Sequence, residues 1–480
     1  MAYEPVIGIE THVELTTDSK MFCGCQVNFG SPPNTNVCPV CLGLPGALPV
    51  VNARAVEYAM TIGLALNCSI AEHSVFARKN YFYPDMPKNY QISQYDEPLC
   101  VEGHLDVEVG EETSRVGITR VHMEEDTGKS THIGEGGRIQ AASHSLLDFN
   151  RAGVPLMEVV SEPDIRSAEQ ARAFVSELRG AILRLGVSDA KLEEGSMRFD
   201  ANVSLRPVGA EEFGTKVEVK NMNSLRSLQR ALEYEIERQA ALLDAGEAVV
   251  QETRHWDEEA GSTSGMRSKE EAFDYRYFPE PDLVPVAVDD EWRNRVAQSL
   301  PELPAQSRAR YVAMGLEPTT AGLIARDVEA GAVFESAVAG GGEAQTVANW
   351  LTGEVTALLR KTETGLAASP IDGAALAALA GMVADRSLSA SAAKEVLAGV
   401  AAGEGSPEEV ATARDLIQVS DSASLEPVID EVLAANPEAL EKLRSGDGKV
   451  MGFLIGQVMR ATGGKADPGA VSRIIELRVG

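Results

Sequence analysis

Residues 6–15 near the amino terminus constrain the fold most strongly, because apolar and polar side chains alternate along them. In an extended strand, alternate side chains point to opposite faces of the sheet. One face would carry Ile7, Ile9, Thr11, Val13 and Leu15. The other face would present Glu10, His12 and Glu14. This pattern predicts a strand that is anchored in a core and holds a hard divalent cation; the alternative is a surface strand with a solvated polar face.

A second strand with the same pattern is predicted over residues 118–126. Its alternation places His122, Glu124 and Asp126 on one face, whereas Glu125 lies on the other. The repetition favours a shared charged surface over one solvated strand.

Two further strands extend this surface. Glu158 lies within the otherwise apolar residues 156–160, and burying a carboxylate is costly without a partner. Residues 198–205 and 216–221 form a predicted hairpin with Asp200 on its charged face.

The charged strand faces are predicted to meet in one trough on a mixed sheet. Its acidic and imidazole side chains are Glu10, His12, Glu124, Glu158 and Asp200. The side chains expected to face the same side are Asp126, Arg198, Lys216 and Lys220. Oxygen ligands with one imidazole favour Mg²⁺ or Mn²⁺ over zinc, and the cations would offset phosphate charge.

Four cysteines form two close pairs, Cys23 with Cys25 and Cys38 with Cys41. Two close pairs of thiolates suit a tetrahedral zinc ion in a reducing compartment. The alternatives are two disulfides or unrelated thiols. Because four thiolates leave no ligand position open, the predicted zinc site is structural and fixes the loop after the first strand.

Two segments are predicted to be irregular. Residues 78–91 combine two prolines, three tyrosines and the cations Arg78, Lys79 and Lys88. Such a loop could stack its rings on a base and direct these cations at phosphates, or it could be a packed structural loop. The Gly/Ser-rich residues 261–270 form either a lid or a passive loop.

The composition is that of a globular protein, with 44% hydrophobic and 24% charged residues among 480. This length predicts two or three domains. The net charge of −29 argues against a general nucleic-acid coat, because phosphate binding depends on Lys and Arg. No signal peptide and no apolar run near the ~20 residues of a membrane span are found. We therefore expect a cytoplasmic protein that binds neither membrane nor DNA.

The carboxyl-terminal part differs in character. From about residue 293 the pattern is helical, with a linker near residues 403–407. Residues 442–480 carry seven basic and three acidic side chains, a net charge of +4. Gly452 and Gly456 occupy one helical face, where glycine is unfavourable unless it packs closely or makes a contact.

The sequence contains no Gly-x-x-x-x-Gly-Lys-[Ser/Thr] loop and no Gly-x-Gly-x-x-Gly after a strand. A bound nucleotide would then be held by metal and side chains. This suits ATP-driven activation of a carboxylate, whose acyl phosphate is open to a nucleophile such as ammonia.

Several stretches resemble the B subunits of bacterial aspartyl/glutamyl-tRNA amidotransferases, and the resemblance runs essentially end to end. They are Ile-Gly-Ile-Glu-Thr-His-Val-Glu-Leu (7–15), Arg-Lys-Asn-Tyr-Phe-Tyr-Pro-Asp (78–85), His-Met-Glu-Glu-Asp (122–126), Pro-Leu-Met-Glu-Val-Val-Ser-Glu-Pro-Asp (155–164), Phe-Asp-Ala-Asn-Val-Ser-Leu-Arg (199–206) and Asp-Tyr-Arg-Tyr-Phe-Pro-Glu-Pro-Asp (274–282).

This resemblance implies an α+β fold. Residues 1–292 would form a cradle domain with a mixed, largely antiparallel sheet, distantly similar to glutamine synthetase, that includes the zinc loop 23–41. Residues 293–405 would form a helical domain. Residues 406–480 would form a small helical, YqeY-like tail domain that contacts tRNA.

The resemblance also implies an ATP-dependent carbon–nitrogen ligase of protein biosynthesis. The chain would phosphorylate the side-chain carboxylate of Glu-tRNA(Gln) or Asp-tRNA(Asn) with ATP and Mg²⁺ and amidate it with channelled ammonia. An amidase subunit would release the ammonia from glutamine, and a small third subunit would complete a heterotrimer. Whether one or both misacylated tRNAs are substrates stays open.

Site residues follow from the residue pattern together with the resemblance, which itself points to the Mg²⁺ and ATP site. Those assigned to catalysis are Glu10, His12, Glu124, Glu125, Glu158 and Asp200. Those assigned to Mg²⁺ are Glu10, His12, Glu124, Glu158 and Asp200. The expected contacts to ATP and its phosphates are Arg78, Lys79, Lys88, Arg198, Lys216 and Lys220. The zinc ligands are Cys23, Cys25, Cys38 and Cys41. The expected tRNA contacts are Lys449, Arg460 and Lys465. No role is assigned to residues 134–144.

Two alternatives are weighed against this function. A tRNA-docking scaffold with a vestigial trough is disfavoured, because unused buried carboxylates would be destabilising. A stand-alone ligase acting on a small carboxylate is disfavoured by the basic tail.

Overall fold

The computed structural model describes residues 2–110, 112–134, 142–266, 275–418, 422–463 and 465–479. The chain divides into two compact units, Met1–Pro304 and Ala305–Gly480. Most of the segment 134–144, and the predicted loop 261–270 from residue 267 onward, lie outside the described residues.

The first unit contains the strands. They are β1 (Tyr3–Glu14), β2 (Ser69–Ile70), β3 (His73–Ser74), β4 (Ala77–Asn80), β5 (Tyr90–Ser93), β6 (Cys100–Val109), β7 (Glu112–Glu125), β8 (Lys129–Gly134), β9 (Ala142–Asp148), β10 (Pro155–Ser161), β11 (Met197–Pro207), β12 (Val217–Lys220), β13 (Thr253–Asp257), β14 (Ser262–Gly265), β15 (Phe278–Pro279) and β16 (Val286–Ala287).

Nine of these strands form one large sheet in the order β14-β13-β12-β11-β1-β10-β7-β6-β2. Neighbouring strands are antiparallel except β12 and β13, which are parallel. The remaining strands form small sheets: β15-β4-β5, β16-β3 and β8-β9. A mixed sheet combined with helices confirms the predicted α+β class.

The central strand β1 has the two predicted faces. Ile7, Ile9 and Val13 are almost completely buried on one face. Thr11 lies among them and is equally buried. Because β10 and β11 pair with the two edges of β1, its polar face lies at the middle of the sheet.

Helices α1 (Ala53–Ala65), α2 (Ala168–Leu185), α3 (Leu225–Asp244) and α4 (Asp290–Gln298) complete the first unit. Met60, Phe174 and Leu228, from the first three helices, lie in the same hydrophobic core as the apolar face of β1. Asn52 and Ser224 accept backbone N–H groups at the starts of α1 and α3, as N-cap residues do. Helices α1 and α3 therefore begin directly after these two cap residues.

Two predictions of irregular structure are corrected. Residues 78–91 are not a loop throughout, because β4 and β5 pair as an antiparallel hairpin within them. The start of the Gly/Ser segment is β14, which pairs with β13. Thr263 explains this strand: its side chain is buried and its Oγ1 donates to Glu235 Oε2 of α3 at 3.0 Å.

The second unit is helical in its described residues, as predicted. Its helices are α5 (Pro304–Ala313), α6 (Pro318–Arg326), α7 (Val328–Ala339), α8 (Ala344–Trp350), α9 (Thr356–Thr362), α10 (Gly373–Ala384), α11 (Ala390–Ala401), α12 (Pro407–Ala413), α13 (Ser422–Ala435), α14 (Pro437–Arg444), α15 (Lys449–Ala461) and α16 (Pro468–Val479). A π-helical turn joins α8 to α9.

Two hydrophobic cores lie within this unit. One surrounds Phe334 and continues to Ala411, and the other runs from Leu425 and surrounds Leu454. The core therefore changes after the predicted boundary at 405/406, and the first unit ends at Pro304 rather than at residue 292. The three-domain division stays a prediction. Among the described helices, none is both long and apolar enough to cross a membrane.

Candidate active site

The register of the central strands brings the polar residues of four strands together. Glu10 of β1 lies opposite Asp200 of β11. His12 lies opposite Glu158 of β10, which in turn lies opposite His122 of β7. Directly opposed residues of an antiparallel pair place their side chains side by side on one face. We call this shared polar face the trough.

Three of the five predicted Mg²⁺ ligands form a compact group in the trough. Ligand atoms of His12, Glu124 and Glu158 all lie within 4.8 Å of one another. His12 Nε2 is 3.5 Å from Glu158 Oε2. Two carboxylates and one imidazole, drawn from three strands, are a donor set that fits a hard divalent cation.

His122 belongs to this group, although it was not among the predicted site residues. Its Nε2 lies 3.3 Å from Glu158 Oε2 and 3.4 Å from Glu124 Oε1. The ring is buried, and its Nδ1 has no hydrogen-bond partner among the described residues. The signal that could have found it was its alternation with Glu124 in one predicted strand.

The imidazoles and carboxylates shift one another's pKa values. Burial disfavours the charge on Glu158, yet hydrogen bonds from His12 and His122 hold its pKa well below the usual range. Burial likewise opposes protonation of the imidazoles, but the carboxylates raise the pKa of His12, and that of His122 to about 9. Against burial, Lys79 and His122 lower the pKa of Glu124 to about 2. The cluster therefore consists of alternating opposite charges.

Neutral donors and a lysine fix Glu124. Ser93 Oγ donates to Glu124 Oε1 at 2.7 Å, and Gln91 Nε2 donates to Oε2 at 3.0 Å. Lys79 Nζ is 3.9 Å from Oε1 and 5.2 Å from the ring centroid of Tyr275. The structure thus places Lys79, predicted to contact ATP, beside the group formed by His12, Glu124 and Glu158.

Glu10 and Asp200 lie beside this group and have a different partner. Lys220 Nζ binds Asp200 Oδ2 at 2.5 Å and Glu218 Oε1 at 2.9 Å. Asn202 Nδ2 donates to Glu10 Oε1 at 3.0 Å. Burial raises the pKa of Glu10, and the nearby carboxylates raise it further. This half of the trough carries negative charge that one lysine only partly offsets.

Glu125 points away from Glu124, as the alternation of β7 predicts. Its Oε1 accepts the Ile92 N–H at 2.9 Å and forms a buried ion pair with Lys88 Nζ. The structure does not bring Lys88, predicted to contact phosphate, into contact with His12, Glu124 or Glu158. Lys88 pairs with Glu125 instead.

Asp126 organises a second charged cluster. Arg198 Nη2 donates to Asp126 Oδ2 at 2.9 Å, and Arg151 Nε is 3.5 Å from the same oxygen. Burial and the neighbouring Asp126 raise the pKa of Glu14 to about 8. The predicted phosphate contact Arg198 is therefore engaged with Asp126, and Glu14 is a candidate site residue that sequence reasoning left unassigned.

The two other predicted phosphate contacts lie elsewhere. Arg78 neighbours Lys79 on β4 and so points to the opposite face, where its Nε donates to buried Glu280 at 2.7 Å. Asp282 also accepts from Arg78 at 3.2 Å. Lys216 is exposed and precedes β12.

The four cysteines converge as predicted. Their sulfurs all lie within 4.8 Å of one another, and the Sγ atoms of Cys38 and Cys41 are 3.9 Å apart. A hydrogen bond from the thiol of Cys23 lowers the pKa of Cys41 to about 4 and raises that of Cys23. Burial raises the pKa of Cys25 to about 11. A thiolate is the form in which cysteine binds metal, so this is a candidate metal site with four sulfur donors.

The predicted tRNA contacts belong to the second unit. Lys449 and Arg460, at the two ends of α15, are exposed. Lys465 lies beyond α15 and pairs with Asp415.

Two family models match the chain. Residues 5–294 match the GatB/GatE catalytic domain, and residues 332–479 match the GatB domain. The first match contains every residue of the trough and all four clustered cysteines.

Full-length relatives agree with these matches, and three of them are named as B subunits of an aspartyl/glutamyl-tRNA(Asn/Gln) amidotransferase. The relative from Frankia casuarinae is 55% identical over 495 residues, covering 100% of this chain and 96% of its own length. The one from Moorella thermoacetica is 51% identical, with 100% of both chains covered. The one from Thermobifida fusca is 54% identical, covering 100% of this chain and 94% of its own. The chain therefore belongs to the family of B subunits of aspartyl/glutamyl-tRNA(Asn/Gln) amidotransferases.

Proposed function

We propose that this chain phosphorylates the side-chain carboxylate of Glu-tRNA(Gln) or Asp-tRNA(Asn) with ATP and converts it to the amide. The observation that supports the proposal is the convergence of His12, Glu124 and Glu158 from three strands. Lys79 lies beside Glu124, and Lys220 lies beside Asp200 in the other half of the trough. Both carry the positive charge that phosphates require. A trough with metal ligands and ammonium groups is suited to phosphoryl transfer.

The residues of the trough fit a magnesium ion. Glu124, Glu158 and His12 would hold it, with His12 giving up its Nε2 proton on metal binding, and bound Mg²⁺ would supply charge neutralisation at phosphate oxygens. His122 lies between the two carboxylates and orients both. The hydrogen bond from Ser93 to Glu124 preserves that orientation, because ligand carboxylates need hydrogen bonds of their own.

The proposed reaction has two balanced steps. An oxygen of the substrate carboxylate attacks the γ-phosphorus of ATP, and ADP leaves. Ammonia then attacks the carbonyl carbon of the acyl phosphate, inorganic phosphate leaves, and the nitrogen loses a proton. The names of the relatives describe one component of an amidotransferase, so we infer that an amidase subunit supplies the ammonia and that a small third subunit completes a heterotrimer.

We propose that zinc occupies the four-cysteine site. Four sulfur donors close a tetrahedral zinc site and leave no position for substrate, so the ion would have a structural role. Metal analysis of the purified chain tests this, and a chain without zinc would contradict it.

We propose that one face of α15 contacts tRNA. Helical spacing places Lys449, Gly452, Phe453, Gly456 and Arg460 on that face, and all of them are exposed. A Cβ built on either glycine would meet no atom within 4 Å. Within the described part of the chain, the backbone there is open to an incoming ligand.

Point substitutions test this surface better than truncation, because α15 and α16 build the core around Leu454. Replacing Lys449 and Arg460 by alanine should weaken tRNA binding and lower the slope of log affinity against log salt by about two. Arg473→Ala, which removes a charge from the exposed surface of α16, is the matched control. Equal effects of the two changes would contradict the proposed surface.

The central experiment compares Glu124→Gln with wild type in the assembled amidotransferase. Glutamine keeps the shape but removes the charge that faces Lys79 and His122. We expect tRNA-dependent ATP hydrolysis to fall by about 10²-fold or more. Glu162→Gln, at a carboxylate that accepts from Thr119 Oγ1 at the end of β10, should leave it nearly unchanged.

Undiminished hydrolysis by the Glu124→Gln complex would overturn the catalytic role and favour a docking scaffold. Amidation of free glutamate without tRNA would instead favour a stand-alone ligase.

A further inference from the structure

The four cysteines lie on a loop whose two ends both contact Lys88. Phe22 directly precedes Cys23, and its ring centroid is 5.8 Å from Lys88 Nζ. Gly43 follows Cys41 by two positions and has a φ of +65°. A Cβ built on Gly43 would lie 2.4 Å from Lys88 Cγ and 3.1 Å from its Cα. Lys88 is therefore enclosed between the two ends of the loop.

The enclosed lysine forms the buried ion pair with Glu125. The side chains of Lys88 and Glu125 are 7% and 3% exposed, and an ion pair this deeply buried depends on good geometry. Gly153 links the carboxylate to the cysteines as well. A Cβ built there would lie 3.5 Å from Cys41 Cβ and 3.8 Å from Glu125 Oε2.

Backbone hydrogen bonds connect the sulfurs to the contact with Lys88. Leu42 N–H donates to Cys38 O at 3.1 Å, and Gly43 N–H donates to Val40 O at 3.0 Å. These bonds close a tight turn over the second cysteine pair and set the position of Gly43. Because Gly43 is tied to the second pair, a movement of Cys38 and Cys41 would shift Gly43 relative to Lys88.

We propose that metal held by the four cysteines positions Lys88 on Glu125, with Gly43 as the contact point. The loop is then a positioning element of the active site and not only a local staple. This inference rests on the proposed function, because it takes the cysteine site to hold zinc and keeps the catalytic role that the sequence predicts for Glu125. The metal performs no chemistry here; it keeps the two ends of the loop closed around the lysine.

Two glycines that follow Cys41 provide a matched test. Gly43 and Gly46 both have positive φ, but a Cβ on Gly46 would meet no atom within 4 Å. Alanine introduces similar backbone strain at both positions, whereas only Gly43→Ala collides with Lys88. We expect Gly43→Ala to lower tRNA-dependent amidation by the assembled complex by about 10- to 100-fold. Gly46→Ala should retain most of the wild-type rate.

A second measurement does not depend on activity. Glu125 Oε1 accepts the Ile92 N–H at 2.9 Å, so hydrogen exchange at this amide reports the position of Glu125. In the full-length chain, both removal of zinc with a chelator and the Gly43→Ala change should accelerate this exchange by about 10-fold. Gly46→Ala should not.

The outcomes separate this inference from the function beneath it. Equal exchange at Ile92 with and without zinc would overturn the inference, even if Glu124→Gln had abolished ATP hydrolysis as proposed. Identical behaviour of Gly43→Ala and Gly46→Ala would overturn it too. If Gly43→Ala does not fold, the comparison of zinc-loaded and chelated wild type at Ile92 decides alone.

Discussion

The first unit assembles two clusters of metal-ligating side chains in opposite ways. The four cysteines all lie on one loop, residues 23–41, and meet through tight local turns. His12, Glu124 and Glu158 come from β1, β7 and β10 and meet only because three strands pair in one register. The sulfur site is thus a local structure, and the oxygen and nitrogen site is a property of the whole sheet.

The clusters also differ in how their charges are balanced. In the cysteine cluster, the thiol of Cys23 stabilises the thiolate of Cys41. Deprotonation of the other cysteines would require a bound metal to balance their charge. In the trough, His12 and His122 already balance Glu158 and Glu124. The trough therefore supplies its own counter-charges, whereas four thiolates on the loop would need a metal to hold them together.

The largest effect should follow Glu158→Gln, because Glu158 lies between both imidazoles. The change leaves two protonated rings with one carboxylate. We expect tRNA-dependent amidation to fall by about 10²- to 10³-fold, and the stability of the first unit to fall by about 3 kcal/mol or more. Zinc content should stay the same, because no cysteine is touched.

Steady-state amidation assays, urea unfolding and metal analysis measure these three quantities. Loss of zinc in the Glu158→Gln chain would show that the two clusters are not independent structures.

The local cluster could be predicted from the sequence, and the sheet-wide cluster only in part. The spacing of the cysteines already implies that they can reach one ion. Alternation assigns Glu10, His12 and Glu124 to polar faces, but it does not state the register. Strand pairing decides which of these residues are in contact. It places Glu10 with Asp200 and not with His12, Glu124 and Glu158.

The predictions that were wrong have the same origin. If residues 78–91 were a loop, Arg78 and Lys79 could both contact phosphate. Because the two residues lie on strand β4, their side chains point to opposite faces. The Gly/Ser composition did not indicate β14. Buried Thr263 of this strand forms a hydrogen bond with Glu235 of α3, which is remote in sequence. Contacts between remote segments are not visible in local composition.

The second effect in size concerns the sulfur cluster. Cys41→Ser removes the cysteine whose pKa is lowered to about 4, so the chain should lose its zinc. Amidation should fall by about 10-fold through misplacement of Lys88, less than after Glu158→Gln. Cys68→Ala, at a buried cysteine outside the cluster, is the control and should keep its zinc. An unchanged zinc content in Cys41→Ser would contradict a four-sulfur site.

A smaller effect should appear in the pH dependence of stability. The folded chain raises the pKa of His122 from 6.5 to about 9, so the protonated ring stabilises the fold fully below pH 6.5. This contribution is lost as the pH rises from 6.5 to about 9. Wild type should therefore lose more stability over that window than His122→Gln, as measured by urea unfolding without added Mg²⁺. Parallel pH profiles would mean that the ring is neutral in the folded chain.

The smallest expected effect is a gain in stability, opposite in sign to the effect of Glu158→Gln. It distinguishes the two halves of the trough. Burial and nearby carboxylates raise the pKa of Glu10, so at neutral pH its charged form opposes folding. Glu10→Gln should therefore stabilise the metal-free chain by about 1 kcal/mol, while Asn202 keeps its hydrogen-bond acceptor. Amidation should fall, since a carboxylate near the cation is lost. If Glu10→Gln destabilises the chain, the charge of Glu10 is balanced by its neighbours, as that of Glu158 is. If it stabilises the chain, the carboxylates on this side of the trough repel one another, and a bound cation would reduce that repulsion.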